Sequence, residues 1–169
     1  MNSIVHFDFV DTPLGRLRLM AVREGLTGIA FDGDRYAPPL DPAWVHDPAH
    51  PAVRRAAAQL TAYFALERRV FDLPLAPAGT PFQHTVWKAI ATVPAGATIS
   101  YAELAQRAGH AGSARAVGAA TGRNPLAIVV PCHRIIGADG SLTGYASGLE
   151  RKRALLALEQ ESVRLRSAA

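Results

Sequence analysis

Ser100-Tyr101-Ala102-Glu103-Leu104-Ala105-Gln106-Arg107-Ala108-Gly109-His110-Ala111-Gly112-Ser113-Ala114-Arg115-Ala116-Val117-Gly118-Ala119-Ala120-Thr121 reads as two short helices around a tight turn. Ser100 with Glu103 three residues on forms a capping box that opens the first helix, which runs through Ala108. Gly109 permits the turn, and Ser113 caps a second helix from Ala114 to about Thr121. This is helix-turn-helix spacing. The second helix is built almost wholly of small residues, although Gly118 costs roughly 1 kcal/mol against alanine in a helix interior. Arg115 is its one long side chain. Two uses fit such a smooth helix. It can pack closely on another helix, or lie in a duplex groove with Arg115 reaching in.

Downstream comes Ile128-Val129-Val130-Pro131-Cys132-His133-Arg134, which holds the one cysteine of the 169 residues. Three consecutive β-branched residues read as a buried strand. Pro131, with no N–H to give a ladder, would end it and leave Cys132 at the strand's mouth. A lone cysteine is often just a small buried hydrophobe, so Cys-His adjacency leaves both readings open. Two features favour chemistry. Arg134 supplies the positive charge that stabilises a thiolate. Glu159 falls among leucines on the last predicted helix, where a carboxylate needs a partner. Adjacent side chains on a strand point to opposite faces, so a turn or a bridging water would have to bring His133 to Cys132.

Gly137-Ala138-Asp139-Gly140 reads as a hairpin turn and Gly144–Gly148 as a compact loop. Ser147 and Glu150 form a further capping box. The helix it opens carries Lys152, Leu155, Leu156 and Glu159 on one side.

Upstream, Ala76-Pro77-Ala78-Gly79 is the best linker candidate. Thr80, Pro81 and Gln83 then mark a strong helix start, with Phe82, Val86 and Ile90 as its apolar face. Before the linker, alternation predicts strands over Val5–Phe9, Arg16–Ala21 and Leu26–Phe31, a β-meander. Residues 32–51 hold five of the twelve prolines and read as a long surface loop, with Trp44 able to plug it onto the core. Val53, Ala57, Leu60 and Phe64 predict a helix over the sheet. Phe71, Leu73 and Leu75 suggest an edge strand interrupted by Pro74. No catalytic cluster is visible in residues 1–75. Its histidines (His6, His46, His50) are scattered, and the half reads as scaffold.

A chain 49% hydrophobic and 19% charged can bury a real core. No apolar run approaches the ~20 residues needed to span a bilayer. Met1-Asn2-Ser3 lacks the features of a signal peptide, and a single free cysteine suits a reducing compartment, so a cytoplasmic protein is expected. One cysteine also excludes a disulfide framework and a multi-cysteine zinc site. The net charge of +4 is unevenly spread. Residues 1–79 carry eight Arg against nine acids, and residues 80–169 carry ten Lys or Arg against five. The basic half suggests an anionic partner, nucleic acid first, although an ordinary basic surface has the same charge.

Taken together, Ile99-Ser100-Tyr101, Ala114-Arg115-Ala116-Val117-Gly118, Asn124-Pro125, Pro131-Cys132-His133-Arg134 and Gly144-Tyr145 through Glu159 resemble the O6-alkylguanine-DNA alkyltransferases. The match runs in order through roughly residues 80–160, while the N-terminal half resembles the family only in outline. The resemblance implies an α/β (α+β) protein of two domains. Residues 1–76 would form an RNase H-like α/β domain, and residues 80–169 a winged helix-turn-helix domain for DNA binding and alkyl transfer.

It also implies a once-only transfer of an alkyl group from O6-alkylguanine, extending to O4-methylthymine, onto Cys132. His133 would act as base, Glu159 as its support, and Asn124 as a member of the hydrogen-bond network. Tyr101 would assist rotation of the nucleotide and hydrogen-bond guanine N3. Arg115 would fill the gap left in the base stack. The carbonyls of Cys132 and Ile135 would read the guanine amine, the N–H of Ala146 would meet O6, and Tyr145 and Lys152 would complete the substrate site. Ser100, Ala114, Arg115, Ala116, Gly118, Ala119, Thr121 and Arg123 would meet double-stranded DNA through the minor groove, without sequence preference. No cofactor and no metal are implied here, the N-terminal cysteines that hold zinc in some relatives being absent. The expected form is a monomer with scope for cooperative binding on DNA.

Chain departures are modest. Ala146 stands where relatives often have serine or glycine, and Thr121-Gly122-Arg123 varies the end of the second helix. A Cys-His hydrolase and a pure DNA-binding module are the competing readings. The first would require turnover and an oxyanion hole, and the second would have no use for Cys132.

Overall fold

Alternating residues from His6 to Phe31 give three antiparallel strands in the computed structural model, which describes residues 3–168. They are β1 (His6–Thr12), β2 (Gly15–Val22) and β3 (Gly25–Phe31), and a two-residue strand β4 (Val45–His46) runs parallel to β1, giving the order β3-β2-β1-β4. Phe7 faces Met20 and Phe9 faces Arg18 across the β1–β2 ladder, with a register shift in β2 at Met20/Ala21. Met1 and Asn2, part of the leader expectation, lie outside the described residues.

The helix α1 (Pro51–Phe64) covers one face of this sheet. Its buried stripe is Val53, Ala56, Gln59, Leu60 and Tyr63, rotated from the expected one, so that Tyr63 is buried and Phe64 only partly so. On the other face Phe7, Met20 and Ala30 form a small second cluster with Trp44, which seats the proline-rich loop as expected. The three histidines have partners after all. His6 pairs with Asp47 and His46 with Asp8, each at 2.9 Å, and the His6 and His50 rings stack. The expected strand at 71–75 reduces to one bridge, Leu26 to Leu75, consistent with the missing donor of Pro74.

Thr80 caps α2 (Pro81–Ile90) with the full reciprocal box predicted, its hydroxyl accepting from Gln83 N–H. Next come β5 (Ile99–Ser100), α3 (Tyr101–Arg107) and α4 (Ala114–Gly122). Ser100 caps α3 through its hydroxyl, but Ser113 makes no side-chain cap on α4. The indole N–H of Trp87 donates to the carbonyl of Ala120 at 2.9 Å and ties α4 to α2. After a single 3-10 turn over Cys132–Arg134, β6 (Ile135–Ile136) pairs in parallel with β5. Residues 137–140 form the expected turn, although no strand follows it. The last helix, α5 (Leu149–Ser167), starts from Gly148 at φ 96°, so the Ser147–Glu150 capping box does not form.

The largest correction concerns residues 128–130. They are not a strand. Only Leu126 bridges to β3, at Ile29, and the chain then folds through Ile128 at φ 72°. Ile128 and Val130 are buried in the core and Val129 only partly so, and β-branching does not dictate extension here. A single core runs through both halves, from Leu17, Leu19 and Leu60 to Leu104, Leu126 and Leu155. The mixed α/β architecture is as expected. No described helix is long and apolar enough to cross a membrane.

Candidate functional site

Cys132 opens the 3-10 turn, and that turn puts Cys132, His133 and Arg134 on successive sides of one tight loop. Its thiol is almost buried, and the Asn124 side chain fixes it from the end of α4. The Asn124 amide N–H2 donates to Sγ at 3.2 Å and to the carbonyl of Val130 at 2.7 Å, while its oxygen accepts from Leu126 N–H at 2.9 Å. Asn124 therefore has all its groups in use around the nucleophile. Burial pushes the Cys132 thiol up, against the Asn124 hydrogen bond and the nearby Lys152 charge. In the resting protein the sulfur carries its proton.

Behind the thiol lies a buried charge cluster. Glu159, from α5, accepts at Oε1 from His133 Nε2 at 2.6 Å, from Arg134 at 2.8 Å and from the Tyr63 hydroxyl at 2.7 Å, and at Oε2 from Arg134 Nε at 2.9 Å. Arg134 also donates to the carbonyl of Val93 at 2.6 Å. Burial works against the Glu159 charge, but hydrogen bonds and charges from His133 and Arg134 outweigh it and hold the carboxyl at about 2. An ionised carboxylate only accepts, so Nε2 carries the imidazole hydrogen. Nδ1 then bears the lone pair, buried and with no hydrogen-bond partner among the described residues. Burial also pushes the His133 pKa down despite Glu159. A neutral imidazole with one free basic nitrogen follows.

Arg134 thus belongs to Glu159, and the cation beside the sulfur is Lys152. Lys152 is fully buried and donates to the carbonyls of Ile135 (2.6 Å), Thr143 (2.9 Å) and Gly144 (3.3 Å). Burial lowers its pKa to about 8, and a thiolate at Cys132 would oppose this. Its ammonium pins the 143–144 loop, and it does not line the cavity. Ile135 is likewise fully buried, and its carbonyl already accepts from Lys152.

A cavity of about 180 Å³ opens onto Cys132 between Tyr101, Gly118, Asn124, Tyr145 and Ala146. Of the expected substrate residues, Tyr101, Tyr145 and Ala146 are brought here, and Arg115 is not. The Tyr101 hydroxyl donates to the carbonyl of Thr143 at 3.3 Å, and its ring runs over Gly118. Thr121 faces this cavity, not the outer surface, with its hydroxyl spent on the carbonyl of Val117. On α4, Arg115, Ala116 and Ala119 are exposed and Ala114 is half-buried, as is Ser100 at the start of α3. Arg123 is exposed too, its guanidinium 4.0 Å above the ring of Tyr36.

The scaffold reading of the N-terminal half needs correction in two places. Tyr63 reaches Glu159, and Asp34 and Tyr36 line the cavity. A hydroxyl on an apolar helix face was the available signal for Tyr63, because a buried tyrosine needs a partner for its O–H. The loop residues gave no signal, because only the fold brings them there. Among the described residues no group of three or more His, Cys, Asp or Glu could hold a metal.

Residues 81–161 match the family model for the DNA binding domain of 6-O-methylguanine DNA methyltransferase, and residues 5–77 match that for its ribonuclease-like domain. A methylated-DNA–protein-cysteine methyltransferase of Mycobacterium tuberculosis is 48% identical over 157 residues, 93% of each chain. One from Methanosarcina barkeri is 43% identical over 160 residues, 95% of this chain and all of that one. The structure of M. tuberculosis OGT in complex with DNA superposes with a TM-score of 0.83 at 47% identity, covering 93% of this chain and 94% of that one. With both halves matched and this identity along nearly its whole length, the chain belongs to the 6-O-methylguanine DNA methyltransferase family.

Proposed function

We propose that this protein repairs O6-alkylated guanine in duplex DNA by moving the alkyl group, once per molecule, onto Cys132. The observation that carries this reading is one 3-10 turn holding both groups: Cys132 at the cavity with Asn124 on its sulfur, and His133 held at Nε2 by Glu159 with Nδ1 left unpartnered. Cys132 gives its proton to Nδ1 of His133, directly or across one water, and Glu159 stabilises the imidazolium. The thiolate then displaces the alkyl carbon. An S–C bond forms, the C–O bond breaks, and the electron pair passes onto the purine, where a hydrogen bond from Tyr101 stabilises it. The resulting thioether has no hydrolysable carbonyl, so the reaction stops there. A resting thiol with a neutral base beside it suits this order of events, since charge appears only when substrate is seated.

The lesion lies inside a stack, so the nucleotide must leave it at a cost of a few kcal/mol. The smooth exposed face of α4 approaches the minor groove, and Arg115 occupies the gap. O4-methylthymine offers the same alkyl–oxygen bond and falls within the same chemistry. Binding rests on phosphate contacts and weakens with salt. The protein works as a cytoplasmic monomer, and neighbouring molecules along one duplex can bind cooperatively.

The test is incubation with a duplex carrying methyl-labelled O6-methylguanine. One label per molecule, found on the Cys132 peptide, is expected. Continued turnover on fresh duplex would mean a hydrolytic or regenerating enzyme instead.

A further inference from the structure

Glu159 Oε1 is shared by three donors, and one of them comes from the other half of the chain, 96 residues away. We propose that Tyr63 is a positioning residue for alkyl transfer: its hydroxyl competes with His133 for Oε1 of Glu159 and so limits how strongly that carboxylate holds the imidazole. The inference rests on the alkyl-transfer reading above, and it gives the N-terminal half a part in that chemistry.

The geometry leaves the hydroxyl no other use. Tyr63 is 1% exposed on the buried face of α1, its ring packs edge-on to Phe64 at 5.2 Å and beside Phe71 at 5.5 Å, and its O–H points to a 1% exposed carboxylate. Charged and titratable groups surround the His133–Glu159 pair on each side. Arg134 lies in the same 3-10 turn, Lys152 on α5, Cys132 beside the imidazole, Tyr145 in the following loop and Tyr63 on α1. Arg134 and Lys152 disfavour a charged imidazole, and Glu159 favours it. A donor on Oε1 withdraws charge from Glu159 and acts on the same side as the two cations. Tyr63 thereby keeps His133 neutral and available as a base near neutral pH.

Removing the hydroxyl alone leaves Oε1 with two donors and both ring contacts intact, so Tyr63→Phe keeps its packing and strands no buried polar atom. With that donor gone, Glu159 binds the imidazolium more tightly, and the acid limb of the rate profile moves to higher pH. Single-turnover transfer from free O6-benzylguanine, measured from about pH 6 to about pH 9, reads this directly. Tyr63→Phe is expected to be about five- to tenfold slow at the acid end and within about twofold of the parent at the alkaline end. In a Glu159→Gln background the same change should add nothing, because the carboxylate it acts through is gone. Phe71→Leu, which trims the packing beside Tyr63 and leaves Glu159 untouched, is expected to keep the parent's pH profile.

Parallel profiles for Tyr63→Phe and the parent, an additive double variant, or the same shift in Phe71→Leu would overturn the proposal. A parent protein that transfers no alkyl group from any substrate would instead overturn the reading on which it rests.

Discussion

The Glu159 cluster and the outer face of α4 are opposite solutions to placing charge. Glu159, His133 and Arg134 are buried, and every oxygen of the carboxylate is taken by a donor from the protein itself. Arg115, on the outside of α4, is exposed among Ala116 and Ala119 and makes no hydrogen bond or ion pair to a described residue. The first arrangement is complete before any substrate arrives. The second is incomplete without one. Under the proposed function, chemistry that runs once per molecule is best served by the preorganised kind, which spends no reorganisation at the moment of reaction. A surface proposed to meet DNA of many sequences is best served by the open kind. Substitutions should therefore damage stability and chemistry together in the first region, and DNA-dependent steps alone in the second.

The sharpest break comes at the sulfur between the two regions. Cys132→Ser is expected to abolish label transfer while leaving duplex binding within about twofold, since the hydroxyl keeps the Asn124 hydrogen bond but is a far weaker nucleophile. A gel-shift titration run beside the transfer assay checks both halves of that statement.

Glu159→Gln comes next. Arg134 would be left 5% exposed and without its anion, a loss of about 3–5 kcal/mol for a buried pair broken on one side. Chemical denaturation should show this, and transfer should slow more than DNA binding weakens. A variant that unfolds like the parent would mean that Arg134 finds another partner, and the cluster would be less tightly specified than its hydrogen bonds imply.

The same carboxylate sets an acid limit. Its pKa falls from an ordinary 4.5 to about 2 on folding. A group depressed in this way stabilises the fold fully above 4.5, and that stabilisation is lost as the pH falls from there through about 2. Urea midpoints should drop through this window in the parent, and the drop should be smaller in Glu159→Gln. An equal slope in both proteins would assign the acid sensitivity to other carboxylates.

On the open side, Arg115→Ala should change folding stability by less than about 0.5 kcal/mol. It should slow repair in duplex by about tenfold or more if Arg115 fills the emptied stack as proposed. Reaction with free O6-benzylguanine should be unchanged. Equal losses on the two substrates would move Arg115 from the stack into the substrate pocket.

This contrast also separates what the sequence made legible. Some features are local, and the exposed Arg115, the small residues of α4 and the α2 and α3 caps are legible from spacing alone. The β1–β3 meander was equally visible, since a half-buried sheet imposes its own alternation. Long-range features were not. Tyr63 meets Glu159 only because one core runs through both halves, and Asp34 and Tyr36 reach the cavity only by way of a loop without periodicity. Residues 128–130 were misread for a related reason. Burial and β-branching favour a strand, but Leu126 had already used the edge of β3, and the chain turned at Ile128. Arg134 pairs with Glu159 and not with the sulfur, because adjacency to Cys132 says nothing about which way a 3-10 turn directs each side chain.

The smallest expected effect lies on the cavity side of α4. Gly118 sits on α4 against the ring of Tyr101, and a methyl group built there would lie 3.7 Å and 3.9 Å from two ring carbons, ordinary van der Waals contact. Helix propensity then predicts that Gly118→Ala stabilises the protein by about 0.5–1 kcal/mol, a rise of a few degrees in melting temperature. If the small residues of α4 serve close approach of its backbone to DNA, the variant should also lose more rate on duplex than on the free base. A more stable protein with an undiminished duplex rate would show that neither close approach to DNA nor packing against Tyr101 requires a glycine here.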